Sequence, residues 1–492
     1  MQQPTTWGTL LLMSLFFLSC SKDKELVIPG TVSPNADADV PVQDFMWKAM
    51  NFWYFWQEEV PDLADDRFVN TPEGRDAYTA FLQSEEDPGQ FFDNKLLFTE
   101  DRFSYYNPDY RELTNALAGI SRSNGLEFGL VGVANSESVF GYVRYIVPNS
   151  DAAGKDINRG DIFSGVNGTP LTRSNFRELL FGEEATYTLN MATLVNNVVV
   201  PNDFEVTLTK EEALSENPVF LSKSFEIGGA SIGYLMYNQF TNEYDNDLYN
   251  AVQNLKASGI TDLVLDLRYN PGGSVNTTRL LGSMIYDTNP ENLFLRKRYN
   301  AKVQDELEDS QLEVYFTDRL GGRTIESLGL DQVYVLTSAA SASASELLIN
   351  CLEPYIDVVH IGDVTRGKNE FSTTLVDDRT NSYLYTPSRV NQINPENQWA
   401  IQPLLGRNEN ADGFFDYTDG LTPDIPLKED LANLGILGEA NEPLLARAIQ
   451  EITGATGKRS THVEIPIDPL SNSKQFKILG ERMVDDTNYG TQ

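Results

Sequence analysis

The chain has 492 residues, enough for about three domains and a large buried core. Its 37 basic against 72 acidic residues leave a net charge of −35, which argues against nucleic acid or an anionic membrane surface as partner and suits a soluble protein in an extracytoplasmic space. Two cysteines cannot build a disulfide framework, and neither stands in a metal-type cluster.

Leu10 to Leu18 is an apolar run too short to span a bilayer but suited to the core of a signal peptide. Phe17-Leu-Ser-Cys20 resembles a bacterial lipobox, and Ser21-Lys-Asp-Lys-Glu25 resembles the charged stretch that follows the lipidated cysteine in Bacteroidetes-type surface lipoproteins. On that resemblance residues 1–20 are a lipoprotein signal peptide, Cys20 is the lipidation site, and the body is tethered to the cell envelope, periplasmic or surface-facing, by a lipid anchor only. A cleaved secretory signal is the other reading. The stretch 21–42, rich in Pro, Asp and Ala without helical period over 26–42, reads as a flexible tether.

Phe45, Ala49, Phe52 and Trp56 then recur at helical spacing, and Asp76 to Leu82 offers a second helix. They define an N-terminal helical domain over 43–112, its aromatic stripe packed against its own domain rather than lining a ligand box. From 113 to 210 the pattern is β-rich: Phe128-Gly-Leu-Val-Gly132, Phe140 to Val147, and Gly160 to Gly168, with a short helix over Ser174 to Leu180. Pro148-Asn-Ser-Asp-Ala-Ala153 before Arg159-Gly-Asp-Ile resembles the PDZ fold, in which peptide termini pair with a sheet edge. Glu127-Phe-Gly-Leu130 would be its carboxylate-binding loop, or a plain β-turn.

Between 219 and 455 strand and helix patterns alternate, which implies a layered α/β core: a strand over Ile232 to Phe240, a helix over Asp247 to Lys256, a strand Leu263 to Leu267, and a helix near Thr277 to Tyr286. Gly229-Ala-Ser231-Ile-Gly233 fits G-x-S-x-G, but Ser231 opens a strand instead of closing one, so it is a decoy. Asp266-Leu-Arg-Tyr-Asn-Pro-Gly-Gly273 carries a turn signal. Val333 to Leu336 reads as a buried strand, followed by small residues and by a helix with Glu346, Leu347, Leu348, Cys351 and Leu352. A serine at such a strand-to-helix turn meets unpaired N–H groups and the positive end of the helix, the surroundings that an attacking oxygen and its oxyanion need. Ser343-Ala-Ser-Glu346 equally fits a capping box, in which serine only satisfies the first helical turn. Serine needs a base. His360 lies in the apolar run Val358 to Ile361 and His462 in a polar tail, so Lys368, its pKa lowered by burial, is the better candidate.

Ser341-Ala-Ser-Ala-Ser-Glu346 followed by Thr365-Arg-Gly-Lys368 resembles the carboxyl-terminal processing (tail-specific) proteases, a Ser–Lys peptidase family. Asp101-Arg-Phe-Ser104, the Asp266–Gly273 stretch and Gly420-Leu-Thr-Pro-Asp424 are similar to further signatures of the family, which covers roughly 43–455 here. The resemblance implies Ser343 as nucleophile and Lys368, 25 positions later, as general base. It implies an oxyanion hole from the N–H of Ala344 and of either Gly272 or Gly273, no cofactor and no metal. The expected fold is multidomain α/β (α+β): the helical domain, a PDZ-like domain and a layered ClpP/crotonase-like protease domain. The expected partners are proteins or peptides bound through C-terminal segments. One position departs from the family: Ser372 stands where a glutamine usually orients the lysine, four residues after Lys368. A serine hydroxyl can take that role. The departure also motivates a rival, a weak or inactive peptide-binding lipoprotein on the same scaffold. A hydrolase of envelope acyl groups is a third reading. After Gly454 the chain is polar and reads as a poorly ordered tail, 456–492.

Overall fold

A computed structural model describes residues 32–196, 198–455, 467–478 and 480–487. Cys20 and His462 lie outside the described residues. Helix α1 (Pro41–Trp53) starts with proline in its first turn, where the missing N–H costs nothing, and every residue from Gln43 to Trp53 is buried. Its polar residues Gln43, Asp44, Lys48 and Asn51 are buried with the apolar ones, so the helix is enclosed all round. Here the enclosure is not its own domain alone, as expected, but a core shared with residues 235–405. Trp53 Nε1 donates to the Ser382 carbonyl at 2.7 Å, and the Phe45 and Tyr383 rings stand 5.6 Å apart. Helix α2 (Pro72–Leu82) packs beside it. Residues 32–40, expected within a flexible tether, are held against this region: Val32 and Val40 are buried, and Asn35 bonds Thr79 and Asp76. Two apolar anchors and side-chain hydrogen bonds hold a stretch that has no periodicity to announce it.

The β-rich unit contains β1 (Leu126–Val133), β2 (Val139–Ile146), β3 (Ile162–Val166), β4 (Thr186–Val195) and β5 (Val198–Thr209), paired antiparallel in that order. Phe128, Val143, Phe163 and Leu189 fill its core. Glu127 to Leu130, expected as a loop, is the start of β1. The turn comes earlier, at Gly125, whose positive φ of 81° suits glycine.

The larger body is built on β6 (Val219–Ile227), β7 (Ala230–Tyr237), helix α3 (Asp245–Ala257), β8 (Asp262–Asp266), β9 (Gly273–Ser274), α4 (Val275–Ile285) and β10 (Leu293–Tyr299). There follow β11 (Gln332–Thr337), α5 (Ala344–Leu352), β12 (Asp357–Gly362), β13 (Glu370–Ser372), β14 (Leu404–Glu409), β15 (Ile425–Pro426) and α6 (Pro443–Thr453). Its main sheet runs β6-β7-β8-β11-β12-β15, parallel except for the first pair. Leu263 and Leu265 join the core under α3, α4 and α5, while Val264 faces the α6 side. Burial on both faces explains why these strands read as unbroken apolar runs. The architecture is multidomain α/β with an N-terminal helical region.

The C-terminal segment corrects the expectation of a poorly ordered tail. Strand β16 (Ile467–Asn472) adds antiparallel to the edge of β1, and β17 (Met483–Val484) lies between β9 and β13 in a second sheet, β9-β17-β13-β14-β10, continued by Glu313–Tyr315. Backbone pairing and ion pairs hold it, and neither leaves an apolar period in the sequence.

Candidate active site

Strands β8, β11 and β12 are parallel neighbours, so the turns leaving their carboxyl ends open on one edge of the sheet, where ligands bind in open α/β sheets. The three motifs singled out in the sequence follow these strands: 267–272, 338–343 and 363–368.

The first two turns are stapled together by serines. Ser341 Oγ donates to the Leu267 carbonyl at 2.8 Å, Ser345 Oγ to the Asn270 carbonyl at 3.0 Å, and Ser338 Oγ to the Arg268 carbonyl. The Ala342 N–H also donates to Asn270 at 3.1 Å. Ser343 is different. It is 0 % exposed, its hydroxyl has no hydrogen-bond partner among the described residues, and its backbone takes φ +64°, ψ −115°, a strained conformation for a residue with a Cβ. Gly272, φ +110°, lies directly on it: a Cβ there would stand 2.6 Å from Ser343 Cβ and 2.7 Å from Oγ. The Gly272 N–H donates to Asn270 Oδ1 at 2.9 Å. Ala344, first in α5, has an N–H with no acceptor inside the helix.

The third turn is tied in by Glu346. Its Oε2 accepts from the N–H groups of Ser343 (2.6 Å) and Lys368 (3.0 Å), and its Oε1 from Gly367 N–H and Thr365 Oγ1, both at 2.6 Å. One carboxylate therefore fixes the main chains of both sequence-predicted residues. Ser343 and Glu346 stand as in a capping box, but only the glutamate's half is a made hydrogen bond. Burial pushes the Glu346 carboxyl up to about 7, with Thr365 and the three N–H groups pulling the other way.

Lys368 is 0 % exposed, and its Nζ has no hydrogen-bond partner among the described residues. Burial above all, and then the Arg482 charge, lower it from the ordinary 10.5 to about 7, against weaker opposition from Glu370, Asp101 and Glu481. The amine lies 4.9 Å from the centroid of the Phe103 ring, and Arg102 donates to the Gly367 carbonyl at 2.6 Å. Ser372 is not turned to the lysine: its Oγ donates to the Met483 carbonyl at 3.1 Å, because β17 pairs with β13 there. His360 is buried with Nε2 against Thr337 Oγ1, and burial lowers it to about 4. Ser231, the decoy, bonds Glu226 at 2.6 Å on the surface.

Three contributions escaped the sequence reading. Glu346 is read there as a helix opener, although the S-x-x-E spacing carries the signal. Phe103 lies in a stretch recognised as a signature but given no task. Arg482 has no sequence signal.

Residues 231–405 match the family model for peptidase family S41, and 41–105 that for the peptidase S41 N-terminal domain. A carboxy-terminal-processing protease of Bartonella bacilliformis is 24% identical over 369 residues, 72% of this chain and 75% of that protein. A CtpA-like serine protease of Staphylococcus aureus is 27% identical over 188 residues, 37% of this chain and 35% of its own length. A Bacteroides fragilis chain assigned to the S41 proteases and solved by crystallography superposes with TM-score 0.63 at 26% identity, over 86% of this chain and all of that one (100%). The protein is thus a serine-type peptidase. It carries peptidase S41 family domains, and its homologues and structural neighbours support a member of the C-terminal processing proteases.

Proposed function

We propose that the chain is a serine endopeptidase of extracytoplasmic proteins working through a Ser343–Lys368 dyad. The observation that carries this is a pair of polar side-chain ends, Ser343 Oγ and Lys368 Nζ, both wholly buried and unpartnered among the described residues, on main chains bound to one carboxylate. Lys368, neutral at rest, takes the serine proton as Oγ attacks a peptide carbonyl. The carbonyl oxygen becomes an oxyanion, held by Ala344 N–H and a glycine N–H. Since the Gly272 N–H already serves Asn270, Gly273 is the better donor. The protonated lysine hands its proton to the leaving nitrogen, and water then resolves the acyl-enzyme. The β1 edge, which already accepts β16, supports PDZ-like recognition of C-terminal segments of substrate. Cys20 would anchor the body in the cell envelope.

The test is casein digestion together with labelling by a fluorophosphonate probe. Ser343→Ala and Lys368→Ala are each expected to abolish both while melting normally. Because the base must be neutral, cleavage should rise with pH through about 7. Full activity in either variant, or a rate falling steadily from pH 6 to pH 9, refutes the dyad. The engagement of Ser372 with Met483 favours a second reading, a peptide-binding protein without turnover. Binding with neither labelling nor digestion would select it.

A further inference from the structure

The segment 467–487 follows the route that a substrate of this reaction would take. β16 lies on the β1 edge, Asp468 opposite Gly132 and Asn472 opposite Gly129, as an extended peptide adds to a sheet. The chain then passes Glu127, which accepts from Ser473 Oγ at 2.5 Å and pairs with Lys477, and stacks Phe476 on Phe181 at 4.2 Å. Cavities of about 490 and 470 Å³ flank it, each lined jointly by the tail, the β-rich unit and the protease body, so the groove is roomier than its occupant.

Beyond Gly480 the segment enters the crevice. Gly273 faces Met483 and Ser274 faces Val484 in parallel register, with Ser372 facing Val484 on the other side. The Arg482 carbonyl oxygen and Ser343 Oγ both lie 2.7 Å from the point where a Cβ on Gly272 would stand, so the carbonyl and the serine side chain flank the same face of Gly272. Specific partners hold both flanks: Glu481 meets Arg366 at 2.9 Å, Asp485 meets Lys297 at 2.7 Å, and Asp486 accepts from Ser274 Oγ at 2.6 Å and from Asn276 N–H at 2.9 Å. With the segment seated, Ser343 and Lys368 are sealed from solvent and from any other polypeptide. Arg482 brings a second cation to the base, its guanidinium donating to the Phe103 carbonyl and lying 4.6 Å from the centroid of the Tyr105 ring. Its Nε is buried without a partner among the described residues, and burial lowers its guanidinium to about 10.

We propose that the C-terminal segment is the protease's own first substrate, presented with the Arg482–Met483 bond at Ser343, closing the crevice while intact and opening it once cut. This rests on the Ser–Lys reading above. Ser343 Oγ would bond to the Arg482 carbonyl carbon, its proton passing to Lys368. The C–N bond to Met483 breaks, with Lys368 returning the proton to that nitrogen. Water then cleaves the ester, leaving a carboxylate on Arg482 and a free amine on Met483.

The experiment follows intact mass and casein hydrolysis together in the whole chain, in Ser343→Ala, and in a chain ending at Arg482. The whole chain should lose residues 483–492 at a rate independent of protein concentration, as an intramolecular step requires. Ser343→Ala should keep them. The shortened chain should digest casein from the first minute, with the whole chain at least about tenfold slower at first and catching up as its tail leaves. Met483→Asp, which puts a charge where the side chain is wholly buried, unseats the segment without shortening the chain and should give the same early rate. A whole chain that digests casein with its Arg482–Met483 bond intact overturns the inference, whichever form is faster, and leaves the protease reading standing. So does tail loss in Ser343→Ala. Folded chains that neither digest casein nor take the fluorophosphonate label, with or without the tail, overturn the protease reading and this one with it.

Discussion

Two clusters of buried polar groups share the turn 266–273, and they are built on opposite plans. On one side Arg268, 0 % exposed, is bound by Asp266 at 2.8 Å and by both oxygens of Glu442 at 2.6 and 2.9 Å, with Glu429 at 3.3 Å. Glu429 also holds Arg159 of the β-rich unit at 2.8 Å and accepts from Tyr269 at 2.5 Å. Although burial alone would raise it, Arg159 and Arg268 hold the Glu429 carboxyl down to about 2. On the other side Ser343 and Lys368 are as deeply buried, yet their polar ends have no partner among the described residues. A satisfied network fastens two domains and is inert. Unsatisfied groups kept in place by their surroundings hold reactivity in reserve, at a cost in stability. The two clusters should therefore answer mutation in opposite currencies, one in stability and the other in rate.

The sharpest contrast is Ser343→Ala against Arg268→Ala. Losing the proposed nucleophile should lower casein turnover by on the order of 10⁶-fold while the urea midpoint stays put. Losing Arg268 leaves Asp266 and Glu442 buried without their cation, while Glu429 keeps Arg159, and should cost about 3–5 kcal/mol of stability by urea titration. If Ser343→Ala unfolds the protein as readily as Arg268→Ala, the distinction between the clusters fails.

Glu346 stands between the two plans, being satisfied itself while it positions unsatisfied neighbours. Glu346→Gln replaces one acceptor oxygen by a donor amide facing N–H and hydroxyl donors. The Ser343 and Lys368 main chains then lose their common clamp. Turnover should fall about 10²-fold with KM little changed, since what is lost is alignment and not substrate contact. A variant in which KM rises and turnover holds would put Glu346 in the binding groove instead.

The same contrast explains what could be read in advance. β8 and β11 are legible because strands covered on both faces need continuous apolar runs. That a serine lies at the strand-to-helix turn is legible too. Which of four serines is free is not visible from composition, since Ser338, Ser341 and Ser345 have the same chemistry and differ only in the carbonyls they reach. The family pattern singles out Ser343 without giving that reason. The partner of α1 is illegible because an aromatic stripe says that a helix face is covered but not by what. The C-terminal segment is least legible: Glu481, Asp485 and Asp486 look like a solvated tail until Arg366, Lys297 and Ser274 are brought opposite them.

The smallest effect is also the most discriminating, because it asks whether the free amine truly weakens the fold. Lys368→Met keeps most of the side-chain volume and removes a polar end that has no partner among the described residues, so it should abolish turnover and raise stability by about 1–2 kcal/mol near pH 7. The pH dependence gives the sign. The amine is lowered in the folded protein from the ordinary 10.5 to about 7. Below pH 7 it is charged in both states, and the penalty of burying that charge is felt in full. Between 7 and 10.5 the unfolded chain binds a proton that the folded one does not, so the parent's stability rises with pH relative to the variant. The advantage of Lys368→Met should therefore be greatest below pH 7 and shrink steadily toward pH 10. Denaturant titrations of both proteins across that range measure it directly. An advantage that does not change with pH would mean that the lysine is charged at rest and held by a partner, and that a different group must take the serine's proton.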